Sequence, residues 1–426
     1  MAQDIEVQGD PKGSPLGKNR NNCGSPGQRP VTGVWDLMRY LWSRSCLPMV
    51  QKCHRVPFGE GVGVYRERFP DGSYRVNFTG LCRCKSGWSC PLCAPQIRRL
   101  RAELLAADLV AAVRAGRGLV FLTLTLPHDQ GTDLEELFSA VTKGWADVRA
   151  DRKVRAFCGE WGVDFARSTE VTWGANGFHP HLHVALVLGR PLTREQVQQF
   201  RRLVFAPWQR SVQRSGFRAP SFKYGAHAIN VLRGAAGAEA VARYMEKINS
   251  LSQELTRMDR KDRGKTIGPF TILRRAAEGD VQMQAVWREY ELGTKGRRTI
   301  TFSQTWGERV AVAPEVSDEE LAEPDVSGAE WLGMLSNDEA LALARIDRGH
   351  EVFLDLLGDE SPECFLKAVE WLALAAEAEL PGSTFRGRLL SAGGLRELLG
   401  LDPEVGEIED GPEQLALGPG DDGGAF

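Results

Sequence analysis

Histidine and tyrosine are scarce in this 426-residue chain, at seven and six copies. No apolar run approaches the roughly 20 residues that a bilayer-spanning helix needs. The stretch Met1 to Pro30 is polar and rich in Gly, Pro and Asn, without the apolar core of a secretion signal, and reads as a disordered lead-in. These absences argue against a membrane-spanning helix and lead us to expect a cytoplasmic protein. No internal repeat is present. A nucleotide-binding P-loop is also missing: Gly264-Lys265-Thr266 resembles its end, but Asp259 stands where the first glycine belongs. Nine cysteines in such a chain argue for metal or incidental thiols rather than a disulfide framework.

The net charge of −3 conceals a strong asymmetry. Residues 33–310 carry +17, residues 311–426 carry −21 and residues 1–32 carry +1. A basic body of that size implies a polyanionic partner, nucleic acid first. The acidic remainder is suited to be a solvated interaction segment, or a screen that keeps the basic face off non-specific DNA.

What is present is concentrated. Three of the seven histidines fall in Phe178-His179-Pro180-His181-Leu182-His183-Val184, which follows Asn176-Gly177 and leads into an apolar run ending at Leu188. Alternate residues of a strand face the same way, so His181 and His183 project together with His179 beside them. Neutral imidazoles on a rigid strand make a preformed metal platform. Residues from about 162 to 173 read as the partner strand of a hairpin. With Asn176-Gly177 as a two-residue turn, Glu170 lies opposite His183 and Thr172 opposite His181. A register shifted by two places Glu170 opposite His181 instead. Directly opposed Cβ atoms are about 4.5–5.5 Å apart, so in either register the carboxylate joins the imidazoles. Two histidines and a carboxylate with open positions suit Mg²⁺ or Mn²⁺ acting on a phosphoryl oxygen.

Upstream, Cys82-Arg-Cys84-Lys-Ser-Gly-Trp-Ser-Cys90-Pro-Leu-Cys93 has the spacing of a structural zinc site. Cys84, Cys90 and Cys93 are three expected Zn²⁺ ligands, and Cys82 is the nearest candidate for the fourth; Cys53 or His54 would close a larger loop. A helix follows Pro95, with Ile97, Leu100, Leu104 and Ala111 as its stripe and Gly116 as its cap. Its Arg98, Arg99 and Arg101 are read as phosphate contacts or as a solvated face. The strand Gly118 to Leu126, the capped helices at Thr132 and Thr193 (the second interrupted near Pro207), the hairpin, a strand from Ala228 and a helix from Ala235 give the order β-α-β-β-α-β-α. That order predicts an α+β fold, a ferredoxin-like antiparallel sheet with helices. The expected organisation is a disordered segment 1–32, a Cys-rich segment with its helix 33–115, a catalytic domain with basic extension 116–306, and an acidic linker with short amphipathic helices 307–426.

Tyr244 lies in Ala242-Arg-Tyr-Met-Glu-Lys247, and on a helix Tyr244 and Lys247 share a face. A phenol forms a covalent intermediate when its electrophile is strongly polarised, and a nearby ammonium favours both phenolate and phosphate. FLTLTLP (121–127), HPHLHVALVL (179–188) and ARYMEK (242–247), in that order, resemble the three motifs of plasmid rolling-circle replication initiators, the HUH endonucleases. CKSGWSCPLC (84–93) and AVWREYELGTKGRR (285–298) resemble the initiators of actinobacterial plasmids more narrowly. The resemblance covers about residues 80 to 306. It implies strand-specific nicking of plasmid origin DNA, with His181 and His183 as metal ligands, Tyr244 as nucleophile and Lys247 positioning. The implied products are a 5′-phosphotyrosine and a free 3′-OH primer, extended with a host helicase and DNA polymerase as partners. Such proteins often carry a water-activating Glu one turn before the tyrosine; Ala240 stands there, with Glu239 and Glu246 as the nearest carboxylates. His128, after the first motif, is a further candidate to line the site. An HUH transposase and a non-catalytic, zinc-containing DNA-binding regulator are the competing readings.

Overall fold

The computed structural model describes residues 33–230, 266–359 and 361–378. It divides into two units, Met1–Glu351 and Val352–Phe426. Tyr244, Lys247 and the expected helix from Ala235 lie outside the described residues.

The first unit opens with helices α1 (Val34–Arg44) and α2 (Pro48–Lys52) and the antiparallel strands β1 (Val62–Arg68) and β2 (Tyr74–Thr79). Helix α3 (Cys93–Arg114) leads into β3 (Gly118–Thr125), α4 (Leu134–Ala150), α5 (Arg152–Trp161) and the hairpin β4 (Asp164–Gly174) and β5 (Gly177–Leu188). Then come α6 (Arg194–Arg214), α7 (Phe222–Gly225) and β6 (Ala226–Asn230). Two further helices, Pro269–Ala277 and Val281–Thr294, precede β7 (Ile300–Phe302), and β8 (Glu330–Leu335) comes late.

The main sheet has the order β6-β3-β5-β4-β7 and is antiparallel throughout. Strand β5 sits between β3 and β4, the split arrangement of a ferredoxin-like sandwich. Helices α4 and α6 cover one face, locked at Gly144, where an added Cβ would run into the Trp208 ring. Trp208 also donates its indole N–H to the Thr125 carbonyl at 2.9 Å. Helix α6 runs unbroken through Pro207, contrary to the expected interruption. The capping box at Thr193 forms with Gln196, whereas the N-cap position of α4 is Asp133 rather than Thr132 and its side chain makes no capping bond; the Leu134 N–H donates to Glu289 instead, at 2.9 Å.

Helix α3 lies on the opposite face, packing Leu105, Leu109 and Ala112 against Leu119, Phe121, Ala185, Val187 and Ile300. Gly116 caps it in the left-handed region, φ +79°. Its buried stripe includes Ile97, Arg101, Leu105, Asp108 and Ala112, so Leu100 and Leu104 are only partly covered. The three arginines therefore divide. Arg98 is buried with the Trp88 and Phe270 rings each 6.0 Å away, Arg101 pairs with Asp318, and exposed Arg99 pairs with Glu103. None of the first two is a solvated residue.

The acidic region does not begin as a linker. The helical turn Asp318–Leu321, capped by Ser317 and Glu320, lies on α3, and β8 pairs with β1 to complete a small sheet, β2-β1-β8. A boundary at 306/307 therefore cuts through one packed body: Leu321 and Ala322 are buried, which holds the segment in place without regard to its charge. The second unit contributes the helix Cys364–Ala378, with Ala368, Trp371, Leu372 and Ala375 on its buried side.

Candidate active site and thiolate centre

The pleat of β5 turns His179, His181 and His183 to one face, as the alternation predicts. Thr125 and Thr123 of β3 stand opposite His181 and His183 on one side. On the other side Thr172, Glu170 and Ser168 of β4 oppose His179, His181 and His183. Ala175-Asn176 makes the turn, Gly174 pairs with Gly177, and Gly177 takes φ +83°, a conformation glycine adopts without steric cost. The turn sits one residue earlier than Asn176-Gly177, which moves Glu170 from His183 to His181. Its carboxylate nevertheless reaches diagonally, Oε2 lying 3.0 Å from His183 Nε2.

Glu170 and His183 are 4% and 5% exposed, so their interaction is largely shielded from water. The other ring nitrogen of His183, Nδ1, lies 3.3 Å from Thr123 Oγ1, and the Phe121 ring stacks beneath the imidazole at 5.6 Å. Contacts at both nitrogens and one ring face fix this side chain's orientation. His179 meets His128 at 3.1 Å between Nδ1 atoms and His181 at a ring separation of 4.1 Å. Burial, reinforced by the His128 charge, pushes the pKa of His179 down to about 4, and burial lowers that of His128 as well. Both are neutral near pH 7. His227 of β6, opposite Thr123, extends the same row. Neither Thr123 nor His227 was picked out from the sequence. Thr123 alternates within FLTLTLP, and that period is the signal that would have found it.

His181, His183 and Glu170 thus fit a small divalent cation chemically: two imidazoles and one carboxylate on one face, with room in the ligand count for substrate oxygens.

The second cluster is built of sulfur. One ligand atom each from Cys53, Cys84, Cys90 and Cys93 lies within 4.8 Å of every other. Cys53 Sγ is 3.6 Å from Cys90 Sγ and 3.5 Å from Cys93 Sγ. Tetrahedral zinc with bonds of about 2.3 Å requires sulfurs about 3.8 Å apart, so the set fits. Backbone N–H groups of Cys84 and Cys93 point at Cys53 Sγ and Cys90 Sγ, each at 3.3 Å, as suits thiolates. Hydrogen bonds from the Cys84, Cys90 and Cys93 thiols hold Cys53 far below an ordinary thiol pKa, while burial pushes Cys90 up.

Cys82 is not the fourth member. Its backbone is occupied in pairing, N–H to the Val56 carbonyl at 2.8 Å and carbonyl from the His54 N–H at 2.7 Å. That pairing brings Cys53, the alternative with the larger loop, alongside Cys84. His54 Nδ1 contacts Cys53 Sγ at 3.1 Å from outside the four thiols.

Residues 73–200 match the replication protein family. The chain is similar to that family over this stretch. The matched stretch contains Cys84, Cys90 and Cys93, strand β3 and the whole histidine hairpin, and ends before Tyr244. A Streptomyces lividans protein named "Protein rep" is 29% identical over 287 residues, covering 53% of this chain and 63% of that one. A Streptomyces cyanogenus protein named "Neomycin resistance protein" is 24% identical over 229 residues, 44% of this chain and 51% of that one. The chain therefore spans less than two thirds of the length of either relative. No solved structure matches. The family match and the Streptomyces lividans relative support the resemblance to actinobacterial plasmid replication initiators.

Proposed function

We propose that this protein initiates rolling-circle replication of a plasmid by nicking one strand of the origin. The observation that carries the reading is the convergence of His181, His183 and Glu170 on one sheet face within the stretch that matches the replication protein family. A divalent ion, Mg²⁺ or Mn²⁺, held by these three would supply Lewis acidity toward a phosphoryl oxygen. Thr123 and Phe121 keep His183 in its orientation, and the neutral imidazoles of His179 and His128 leave the face able to accept a cation.

Tyr244 is the proposed nucleophile. Its phenolate oxygen bonds to phosphorus, the bond from phosphorus to the 3′ oxygen breaks, and that oxygen takes a proton to become the 3′-OH primer. Lys247, one helical turn on, would stabilise phenolate and phosphate. The DNA substrate is the plasmid origin, single-stranded or in a hairpin at the nick, and strand separation and extension fall to a host helicase and polymerase. Cys53, Cys84, Cys90 and Cys93 would hold Zn²⁺ and anchor the start of α3. Among the described residues no helix is long and apolar enough to cross a membrane.

The test is a labelled origin oligonucleotide incubated with the full chain and Mn²⁺, then run on a denaturing gel. The reading requires a protein–DNA adduct through a 5′-phosphate together with a released 3′-OH fragment. Origin binding without an adduct would favour the non-catalytic regulator, and an adduct formed on terminal inverted ends but not on the origin would favour a transposase.

A further inference from the structure

The AVWREYELGTKGRR motif ends in a turn that the proposed nicking chemistry does not use. Helix Val281–Thr294 stops at Thr294, and Lys295-Gly296-Arg297-Arg298 carries the chain toward β7, with Gly296 at φ +69°. Against it sits the loop joining two of the thiol ligands, Cys84 to Cys90. Trp88 donates its indole N–H to the Arg297 carbonyl at 2.8 Å. Gly87 packs so closely on Thr299 that an added Cβ would come within 2.6 Å of its methyl group. Between loop and turn lies a cleft of about 750 Å³.

Its cations are unequally engaged. Arg297 is half-buried over the Phe138 ring and donates to the Gly293 carbonyl, and Arg101 is paired with Asp318 at 2.9 Å. Lys295 and Arg298 also line the cleft; both are exposed and hold no salt bridge among the described residues. Ser89, 1% exposed, lines the same cleft with its hydroxyl lacking a hydrogen-bond partner among the described residues. Trp88, the aromatic residue of the lining, is 3% exposed and packed edge-on against Phe138. The cleft thus offers exposed cations to phosphates, and no aromatic face on which an unstacked base would rest. That is the chemistry of a duplex backbone rather than of a single strand.

The opposite wall is acidic. Glu315, Asp318 and Glu319 line it, and Glu323 follows with its carboxylate 3.5 Å from Lys85 Nζ. The segment is strapped down by neutral contacts as well, Arg83 donating to the Ala322 carbonyl and Gln96 to those of Leu321 and Glu323. Carboxylates of the acidic region therefore already sit on cations of the basic body.

We propose that the cleft between loop 84–89 and turn 294–298 is a docking surface for one backbone of duplex DNA, seated on Lys85, Lys295 and Arg298, and that the acidic segment 315–323 opposes it, through the Glu323 carboxylate on Lys85 and the negative charge of the facing wall. The proposal rests on the reading of the chain as a DNA-processing protein. It adds a surface apart from the histidine face.

The test uses the full chain and fluorescence anisotropy with a labelled duplex of arbitrary sequence and a single strand of equal length, over a series of salt concentrations. Each lost phosphate contact removes about 0.9 from the slope of log affinity against log salt. Lys295→Gln with Arg298→Gln should flatten the duplex slope by about 2 and weaken binding roughly tenfold near 0.1 M salt. Glu315→Gln with Glu319→Gln should tighten duplex binding by roughly two- to fivefold, a gain that misfolding does not produce. Lys153→Gln with Arg155→Gln, two exposed cations on α5, is the control for net charge alone. Duplex binding and slope unchanged in the Lys295/Arg298 variant, or a loss no larger than the control's, would overturn the surface. So would a loss confined to the single strand, or acidic variants that bind no tighter. A wild-type chain that binds neither probe would instead sink the DNA-processing reading, and this surface with it.

Discussion

Glu170 stands directly across the hairpin from His181, yet its carboxylate touches His183, two residues farther along the neighbouring strand, at 3.0 Å. One carboxylate thereby stands across from one imidazole and in contact with the other. A single cation placed among the three groups would have all of them on the same side of the sheet, which is the arrangement on which nicking is proposed to depend.

Glu170→Ala should raise the Mn²⁺ concentration needed for half-maximal nicking at least tenfold, with excess Mn²⁺ restoring part of the rate. His181→Ala and His183→Ala should abolish nicking at any practical metal concentration while duplex binding persists, because they remove metal ligands rather than basic contacts. Nicking assays across a metal titration give all three answers. A Glu170→Ala protein that cleaves normally at limiting metal would remove the carboxylate from the site.

Tyr244→Phe keeps the ring and loses the oxygen. It should bind origin DNA as wild type does, but form no covalent adduct and no nick on a denaturing gel. Tyr224, 71% exposed, is the control, and Tyr224→Phe should cleave normally. An adduct persisting in Tyr244→Phe would move the nucleophile elsewhere.

Cys53→Ser should lose bound zinc and melt at lower temperature, because a structural site missing one ligand loses metal-binding energy that is also folding energy. Cys82→Ser should retain both zinc and stability, since Cys82 lies outside the four-sulfur cluster. Metal analysis with thermal melting separates the two. Equal zinc loss in both variants would contradict the assignment of Cys53.

His350 is 4% exposed and stacked on Trp35 at 3.8 Å, and burial, with lesser contributions from Arg39 and His54, pushes its pKa from 6.5 down to about 3. The unfolded chain therefore binds a proton at this site that the folded chain refuses between about pH 6.5 and pH 3. The stabilisation is fully present above pH 6.5 and declines as pH falls, with a slope of about 1.4 kcal/mol per unit from this one group. His350→Phe keeps a ring against Trp35 and removes the titration. Its melting temperature should fall less steeply than that of wild type between pH 6.5 and 4.5. Parallel curves would show that acid acts through other groups.

Much of the candidate site is legible in the sequence because its information is local. Strand alternation alone puts His179, His181 and His183 on one face, and a turn within a few residues of Gly177 commits Glu170 to that face in either even register. The Cys90-x-x-Cys93 spacing likewise marks a half-site that needs no partner to be recognised. What sequence order cannot supply is which distant segments meet. Cys53 joins Cys84 only because the backbone of Cys82 pairs with His54 and Val56, a contact with no trace in the spacing of the cysteines. Arg98 and Arg101 look like a solvated face until the loop carrying Trp88 and the segment carrying Asp318 pack over them. Strand β8 reads as part of an acidic linker until β1 offers it an edge. Periodicity and turn chemistry act over a few residues, and so one chain suffices to read them. Register, the fourth thiol and the burial of a charge depend on which segments, far apart in sequence, pair and pack together, and only the folded chain decides that.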